Sequence, residues 1–329
     1  MAMSYSPPGQ DSAGADLNDQ QVRPHPTVSI LMGTYNGGLY VRQQLESILA
    51  QSHKHWKLIV SDDGSSDDTP KILDEFRASR TLGQITIVEG PRQGFATNFL
   101  SLALNVEADS EYFAFSDQDD VWLPNKLERA LNIMSRFPAH VPVAYGSRTA
   151  LVDANCDPIG FSPMLRRAPT FKNALAQSIA GGNTIVFNRT ALQLLHAIGM
   201  VEIVSHDWWL YLVVTAVGGH FVFDPEPTIL YRQHGGNLVG TNTTLREQLL
   251  RAVAMIKGRY RRWMELNIAA LASAAPFMTT ENLDVLETLK RARNSMLINR
   301  LLLLSRSGVR RQTLLGNCGL AAACVLNRV

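Results

Sequence analysis

Cysteine is scarce, with three in 329 residues, at positions 156, 318 and 324. Their spacing matches no metal-ligand pattern and any pairing leaves an odd thiol, so a disulfide framework is not expected and a reducing compartment, the cytoplasm, fits. Long apolar runs are missing as well. Met296–Leu304 and Leu314–Leu326 are interrupted or too short to span a bilayer, and residues 1–26 lack the basic start and apolar stretch of a signal peptide. That first segment, rich in Ser, Pro, Gly, Asp and Gln, reads as a disordered arm. No G-x-G-x-x-G follows the first predicted strand and G-x-x-x-x-G-K-[ST] occurs nowhere, which excludes a dinucleotide fingerprint and a P-loop. Phosphate, if it is bound, has to be held by a metal and scattered donors.

An excess of charge of one sign is also nearly absent overall, since the formal net charge is +2, but the charges are unevenly spread. Residues 1–244 carry 17 Lys/Arg against 24 Asp/Glu, whereas residues 245–311 carry 13 against 5. The basic part is therefore a tail, and the acidity of the rest argues against nucleic acid as a partner.

From Val28 to Tyr145 short apolar runs alternate with helix-length segments. Val28–Gly33, Trp56–Ser61, Ile85–Val88, Tyr112–Ser116 and Pro142–Tyr145 read as strands, and their lack of polar alternation predicts cover on both faces. Between them Tyr40–Ala50, Pro70–Ser79, Ala96–Val106 and Asn125–Phe137 have helical apolar spacing, with Thr69 and Pro70 as cap and first turn. This order predicts an α/β fold with a mostly parallel central sheet flanked by helices. Further on, Ile185–Phe187, Phe221–Phe223 and Thr228–Tyr231 read as strands and Asp207–Val217 as a helix. After Thr244 the pattern is almost wholly helical. The expected organisation is an arm at 1–26, one catalytic domain at 27–243 and a basic helical extension at 244–329.

Ligands of such sheets bind beyond the carboxyl ends of the strands. Those positions are unusually polar: Thr34-Tyr35-Asn36-Gly37-Gly38, Asp62-Asp63-Gly64-Ser65-Ser66-Asp67, Gly90-Pro91-Arg92-Gln93-Gly94 and Asp117-Gln118-Asp119-Asp120. Three carboxylates within four residues repel one another unless neutralised, and Mg²⁺ or Mn²⁺ shared with phosphate oxygens is a natural counterion. The bland alternative is a solvated acidic turn capping the next helix. Asp62 and Asp63 are able to accept hydrogen bonds from a nucleobase imide or a ribose; the alternative is an Asp-rich turn entering the helix at Thr69.

Thr34-Tyr35-Asn36, Asp62-Asp63-Gly64-Ser65, Gln93-Gly94 and Asp117-x-Asp119-Asp120-x-Trp122-x-Pro124, in this order, resemble the family 2 glycosyltransferases, whose nucleotide-sugar-binding α/β domain is the GT-A fold. Gly181-Gly182-Asn183-Thr184, His206-Asp207-Trp208-Trp209 and Tyr231-Arg232-Gln233-His234-Gly235-Gly236-Asn237 are similar to the branch that contains bacterial rhamnosyltransferases. The resemblance spans Thr27 to Thr241 and implies a donor site formed with Thr34, Tyr35, Asn36, Asp62, Asp63, Gln93 and Gly94. Within it Thr34, Tyr35 and Asp63 line the base and ribose pocket, Asp117 lies near the ribose, Asp119 ligates the metal, and Asp120 supports them. In inverting members a carboxylate near the start of a later helix deprotonates the acceptor, and Asp207 holds that place here, beside His206 where many members have Glu. Without the resemblance Asp207 reads as a helix cap.

His234 is placed to complete the metal site or bond the diphosphate, and Arg232 to add a charge-assisted contact, against the alternative of surface residues. Trp208 and Trp209 offer faces for an acceptor sugar or its lipid, against the alternative of core packing. The implied reaction moves a sugar, rhamnose among the candidates, from a UDP- or dTDP-sugar to a glycan or lipid-linked hydroxyl in cell-surface polysaccharide synthesis.

A nucleotidyltransferase is the first rival, and the lack of Lys or Arg in Thr34–Gly38 counts against it; a non-catalytic glycan-binding protein is the second, and the presence of Asp119 and Asp207 counts against that. The stretch Leu245–Leu266 reads as a basic amphipathic helix, either seated on the inner face of a membrane or packed as a cap.

Overall fold

The computed structural model describes residues 26–81, 83–234 and 258–328. The strands are β1 (Val28–Thr34), β2 (Trp56–Asp62), β3 (Ile85–Glu89), β4 (Tyr112–Ser116), β5 (Val121–Trp122), β6 (Val143–Ser147), β7 (Ala150–Val152), β8 (Pro158–Phe161), β9 (Val186–Asn188), β10 (His220–Asp224) and β11 (Ile229–Arg232). The helices are α1 (Val41–Leu49), α2 (Thr69–Ala78), α3 (Phe95–Asn105), α4 (Lys126–Met134), α5 (Phe171–Ala174), α6 (Arg189–Ile198) and α7 (His206–Ala216), followed by α8 (Arg259–Ala274), α9 (Thr280–Arg293), α10 (Leu297–Ser307) and α11 (Leu314–Val325).

Seven strands form the main sheet in the order β10-β6-β9-β4-β1-β2-β3. Every pairing is parallel except those of β9, which runs antiparallel to both β4 and β6. Side chains alternate across the sheet, so Ile30 and Met32 of β1 pack under α1 and α2 while Leu31 faces the layer of α3, α6 and α7. Both layers are apolar, as the unbroken hydrophobic runs predict. The reversed β9 is held at its end by Asn188, whose Oδ1 accepts from the Val143 and Ala191 amides, joining the neighbouring strand to the first turn of α6.

A small second sheet, β5-β11-β7-β8, stands beyond the strand ends of the first. Sequence patterning finds only β11 of these, because runs of two to four residues carry no measurable period. One expectation needs correction. The N-cap position of α2 is Asp68 rather than Thr69, which is already helical and hydrogen-bonds Asp67 instead. The described part of the extension packs on the domain, as in the cap alternative: Tyr260, Met264 and Leu271 of α8, and Leu286 and Leu289 of α9, belong to the same buried cluster as α7. The part of the expected amphipathic helix before Gly258 lies outside the described residues, and the described part turns Tyr260 and Met264 inward. Among the described residues no helix is long and apolar enough to cross a membrane.

Candidate active site

Register brings the polar strand ends together. Thr34 of β1 stands beside Asp62 of β2, and Asp62 beside Glu89 of β3. The loops that follow are laced to one another: the Thr34 hydroxyl donates to Asp62 Oδ1 at 2.8 Å, the Asn36 amide to Ser65 Oγ, the Gly37 amide to Thr69 Oγ1 and the Gly38 amide to Asp67 Oδ2. Asn36 sits at φ 49° and its Oδ1 accepts the Ser66 amide, so this residue ties the two loops. Gln118 holds the backbone of Tyr35 at both ends, accepting from its amide and donating to its carbonyl, and leaves the Tyr35 ring 58% exposed at the mouth of the site. Gly37 is needed there, because a Cβ would lie 2.2 Å from Gln118 Oε1.

Asp63 is buried and its carboxylate accepts the amides of Arg92 and Gly94 at 2.6 and 2.8 Å. It therefore positions the Gly90–Gly94 loop, where Gly94 takes φ 88° at the start of α3 and Gln93 is exposed. Arg92 lies across Gly64, an exposed cation at the end of β2 that motif reading passed over.

The acidic corner after β4 has an internal cation. Lys126, fully buried at the start of α4, donates from Nζ to the Asn183 carbonyl at 2.9 Å and lies 4.3 Å from the Trp122 ring centroid. Asn183 in turn donates to Asp120, which also accepts the Arg232 amide. Burial and the Asp119 charge push the Asp120 carboxyl up to about 7, and burial pulls the Lys126 ammonium down to about 7 against the opposing pull of Asp120 and Asp117. Burial, with the charges of Asp120, Asp119 and Asp207, raises Asp117 well above the usual carboxylate range. One lysine does not balance this corner, which favours a bound cation.

Asp119 and His234 meet across the corner with Oδ2 and Nε2 2.9 Å apart, both half-buried. This is a hydrogen bond between a carboxylate and an imidazole, both of them groups able to ligate a divalent cation. Among the described residues no group of three or more His, Cys, Asp or Glu gathers as a metal site, so the pair would need oxygens from a substrate to complete a coordination shell. Arg232 is placed otherwise than expected. It is 2% exposed, its three guanidinium nitrogens donate to Asp119 O, Ala154 O and Gln43 Oε1, and it stacks over Tyr40, so it braces the acidic loop rather than reaching for a diphosphate.

Asp207 lies in the first turn of α7, and its charge is felt by Asp117. Oδ2 takes a hydrogen bond from Ser178 at 3.4 Å, and Oδ1 is buried with no partner among the described residues. The N-cap position of α7 is Ser205 rather than Asp207, so the simple capping alternative does not describe this carboxyl. His206 beside it is caged by aromatics, stacked 4.0 Å on Phe99 with its Nε2 2.1 Å from where a Gly182 Cβ would stand. Trp208 and Trp209 are core residues, 4% and 1% exposed, with Trp208 donating to Ala174 O and meeting Trp263 edge to face. Their covered rings have no surface for an acceptor sugar.

Motif reading missed Lys126, Gln43, Gln118, Ser178 and Asn183 as members of this site. Asn183 lay inside a quoted motif and Gln118 between two quoted aspartates, but Lys126, Gln43 and Ser178 are joined to it only by folding.

A mostly parallel sheet with a polar crevice at its strand ends, an acidic corner and a later helical carboxylate is the architecture of the GT-A fold. Residues 29–188 match the model of the family described as glycosyl transferase family 2, and the chain is a glycosyltransferase of that family. Among curated relatives it is 29% identical over 255 residues to the dTDP-rhamnosyl transferase RfbG of Shigella flexneri, covering 74% of this chain and 84% of RfbG. It is also 29% identical over 187 residues to the Escherichia coli UDP-Glc:alpha-D-GlcNAc-diphosphoundecaprenol beta-1,3-glucosyltransferase WfgD, covering 57% of this chain and 69% of WfgD. Solved structures that share the fold include S. aureus TarS 1-349 in complex with UDP, with TM-score 0.53 and 14% identity over 92% of this chain and 88% of TarS. The mannosyltransferase PcManGT from Pyrobaculum calidifontis, in complex with GDP-Man and Mn2+, has TM-score 0.51 and 16% identity over 92% and 86%.

Proposed function

We propose that this chain is an inverting glycosyltransferase that moves a sugar, rhamnose first among candidates, from a dTDP- or UDP-sugar to a hydroxyl of a glycan or lipid-linked acceptor in bacterial surface-polysaccharide synthesis. The name of RfbG supports the sugar and nucleotide, and that of WfgD supports a diphospholipid-linked acceptor. A cytoplasmic site of action goes with this reading. The observation that carries it is the Asp207 carboxylate, with one buried oxygen unpartnered and its charge bearing on the same acidic corner as Asp119.

In this mechanism the exposed ring of Tyr35 receives the base with Asp117 toward the ribose, and Thr34, Asn36, Asp62 and Asp63 hold the loops that frame them. Gln93 and Gly94 border the donor, and Arg92 faces its phosphates. Asp119 and His234 hold Mg²⁺ or Mn²⁺, which when bound offsets charge on the leaving diphosphate. PcManGT, which shares the fold, was crystallised with Mn2+. The unpartnered oxygen of Asp207 takes the proton from the acceptor hydroxyl. The acceptor oxygen, freed of its proton, bonds to the anomeric carbon from the face opposite the diphosphate, and the bond from the anomeric carbon to the diphosphate oxygen breaks with its electron pair leaving on the diphosphate. The configuration inverts.

Asp207→Asn should bind nucleoside diphosphate with Mn²⁺ as the unaltered chain does while losing on the order of 10²–10⁴ in transfer rate. Normal turnover in that variant removes Asp207 as base. Asp119→Ala should abolish the Mn²⁺-dependent part of donor affinity in calorimetry, and an unchanged affinity counts against the metal assignment.

A further inference from the structure

The last two helices keep an apolar surface that no other part of the described fold covers. Leu304 and Ser307 of α10 and Leu320 and Cys324 of α11 anchor them inward. Outward stand Met296 at 86% exposure, Ile298 at 74%, Leu302 at 52%, Leu314 at 77% and Leu315 at 80%. Between the helices runs an open groove of about 560 Å³ whose lining includes Leu301, Leu304, Val309, Leu320 and Ala321, with Arg310 at its side. A patch of this kind marks a partner.

Charge selects the partner. Residues 294–328 contain five arginines, at 300, 306, 310, 311 and 328, and no aspartate or glutamate. A second copy pairing through this surface would set arginine against arginine with no local carboxylate to receive it, which disfavours self-association. An anionic lipid surface meets both features, taking apolar side chains at the acyl boundary and Arg306, Arg310 and Arg328 at the headgroups, while Arg300 and Arg311 bond carbonyls within the fold.

The position of the hairpin is informative too. The segment between α10 and α11 docks on residues 167–177: Arg311 donates to the Ala176 carbonyl and the Gln312 amide to Gln177 Oε1. Ser178, next in the chain, donates to Asp207. The apolar surface is thus braced directly against the segment that holds the proposed base.

We propose that the α10–α11 hairpin seats the enzyme on an anionic membrane with the acceptor side of its cleft toward the lipid; the choice of a lipid-linked acceptor rests on the function proposed above, whereas the seating itself does not. This surface differs from the Leu245–Leu266 helix expected from sequence, whose described part is turned into the core.

The test is co-sedimentation of the full chain with phosphatidylcholine vesicles with and without phosphatidylglycerol, beside size-exclusion chromatography. Binding should require phosphatidylglycerol and weaken with salt. Leu314→Ser with Leu315→Ser, and separately Met296→Ser with Ile298→Ser, should each weaken it about tenfold or more. These side chains are exposed, so unchanged thermal unfolding in both variants shows that folding is intact. Equal binding to neutral vesicles, full binding by both variants, or a dimer that the variants dissociate without any vesicle binding overturns the proposal. Asp207→Asn should bind vesicles normally. Vesicle binding without nucleotide-sugar turnover therefore sinks only the functional reading, and turnover on a soluble acceptor without vesicle binding sinks only the seating.

Discussion

His206 departs from the acidic neighbour that the family resemblance implies at this place, and its surroundings say what it does. Burial among Phe95, Phe99 and Phe115 holds its imidazole down to about 4 from an ordinary 6.5. The folded state keeps it neutral while the unfolded chain takes up a proton below pH 6.5, so its contribution to stability is lost as the pH falls from 6.5 to about 4. At about 1.4 kcal/mol per unit the loss is of order 3 kcal/mol. Denaturant titrations across this range should show a smaller pH dependence for His206→Gln than for the unaltered chain, and equal slopes would remove the assignment. Lys126 follows the same sign at a higher pH. Burial holds its ammonium down to about 7 from an ordinary 10.5, so stability is lost as the pH falls from 10.5 to about 7. Lys126→Met removes this titration, and denaturant titrations from pH 10 to pH 7 should show a smaller pH dependence for the variant than for the unaltered chain.

Between residues and the whole stand the loops after β1, β2, β3 and β4, which hold together as one unit. Gln118 grips Tyr35, Asn36 grips Ser66, and Asp63 grips the Gly90–Gly94 loop. Four of the polar clusters found in the sequence thus hold one another in place, and only a few of their side chains, such as those of Tyr35 and Gln93, are left to a ligand. Gly37→Ala tests this reading. Its Cβ collides with the flexible end of Gln118, which can swing away cheaply, so the fold should survive with its melting temperature within a few degrees. The Tyr35 clamp is lost, and KM for the donor should rise about tenfold with a smaller change in kcat. A change in kcat alone would place the effect elsewhere. Gly182→Ala has no such escape, because the atom in its way is the caged imidazole of His206, and a marked loss of stability is expected.

For the molecule as a whole, the decisive contact is α8 on α7. Tyr260 reaches the Ala176 carbonyl, Leu271 is fully buried, and α9 adds Leu286 and Leu289 to the same core. A chain ended after Thr244 should expose this apolar face of α7 and become insoluble or unfold without cooperativity, as read by solubility and calorimetry. A soluble, cooperatively folded fragment would restore the view of residues 244–329 as a separate extension. The basic composition of that tail was visible from sequence, but amphipathic spacing says only that a helix has an apolar side, not which surface receives it.

The sequence by itself determined the alternation of strands and helices, because covered strands and amphipathic helices impose distinct periods on their apolar residues, and it marked the strand-end loops by their density of Asp, Asn, Ser and Gly. It also nominated Asp119, His234 and Asp207 as candidates. What only the tertiary structure decided is which of the marked side chains are already committed. Arg232 has its guanidinium nitrogens bonded inside the protein, and Trp208 and Trp209 are walled into the core. Lys126 becomes part of the acidic corner only when α4 folds beneath it. The physical reason is common to all four: a motif specifies residue types along the chain, whereas burial and hydrogen-bond partners are set by segments distant in sequence that meet only in the folded state.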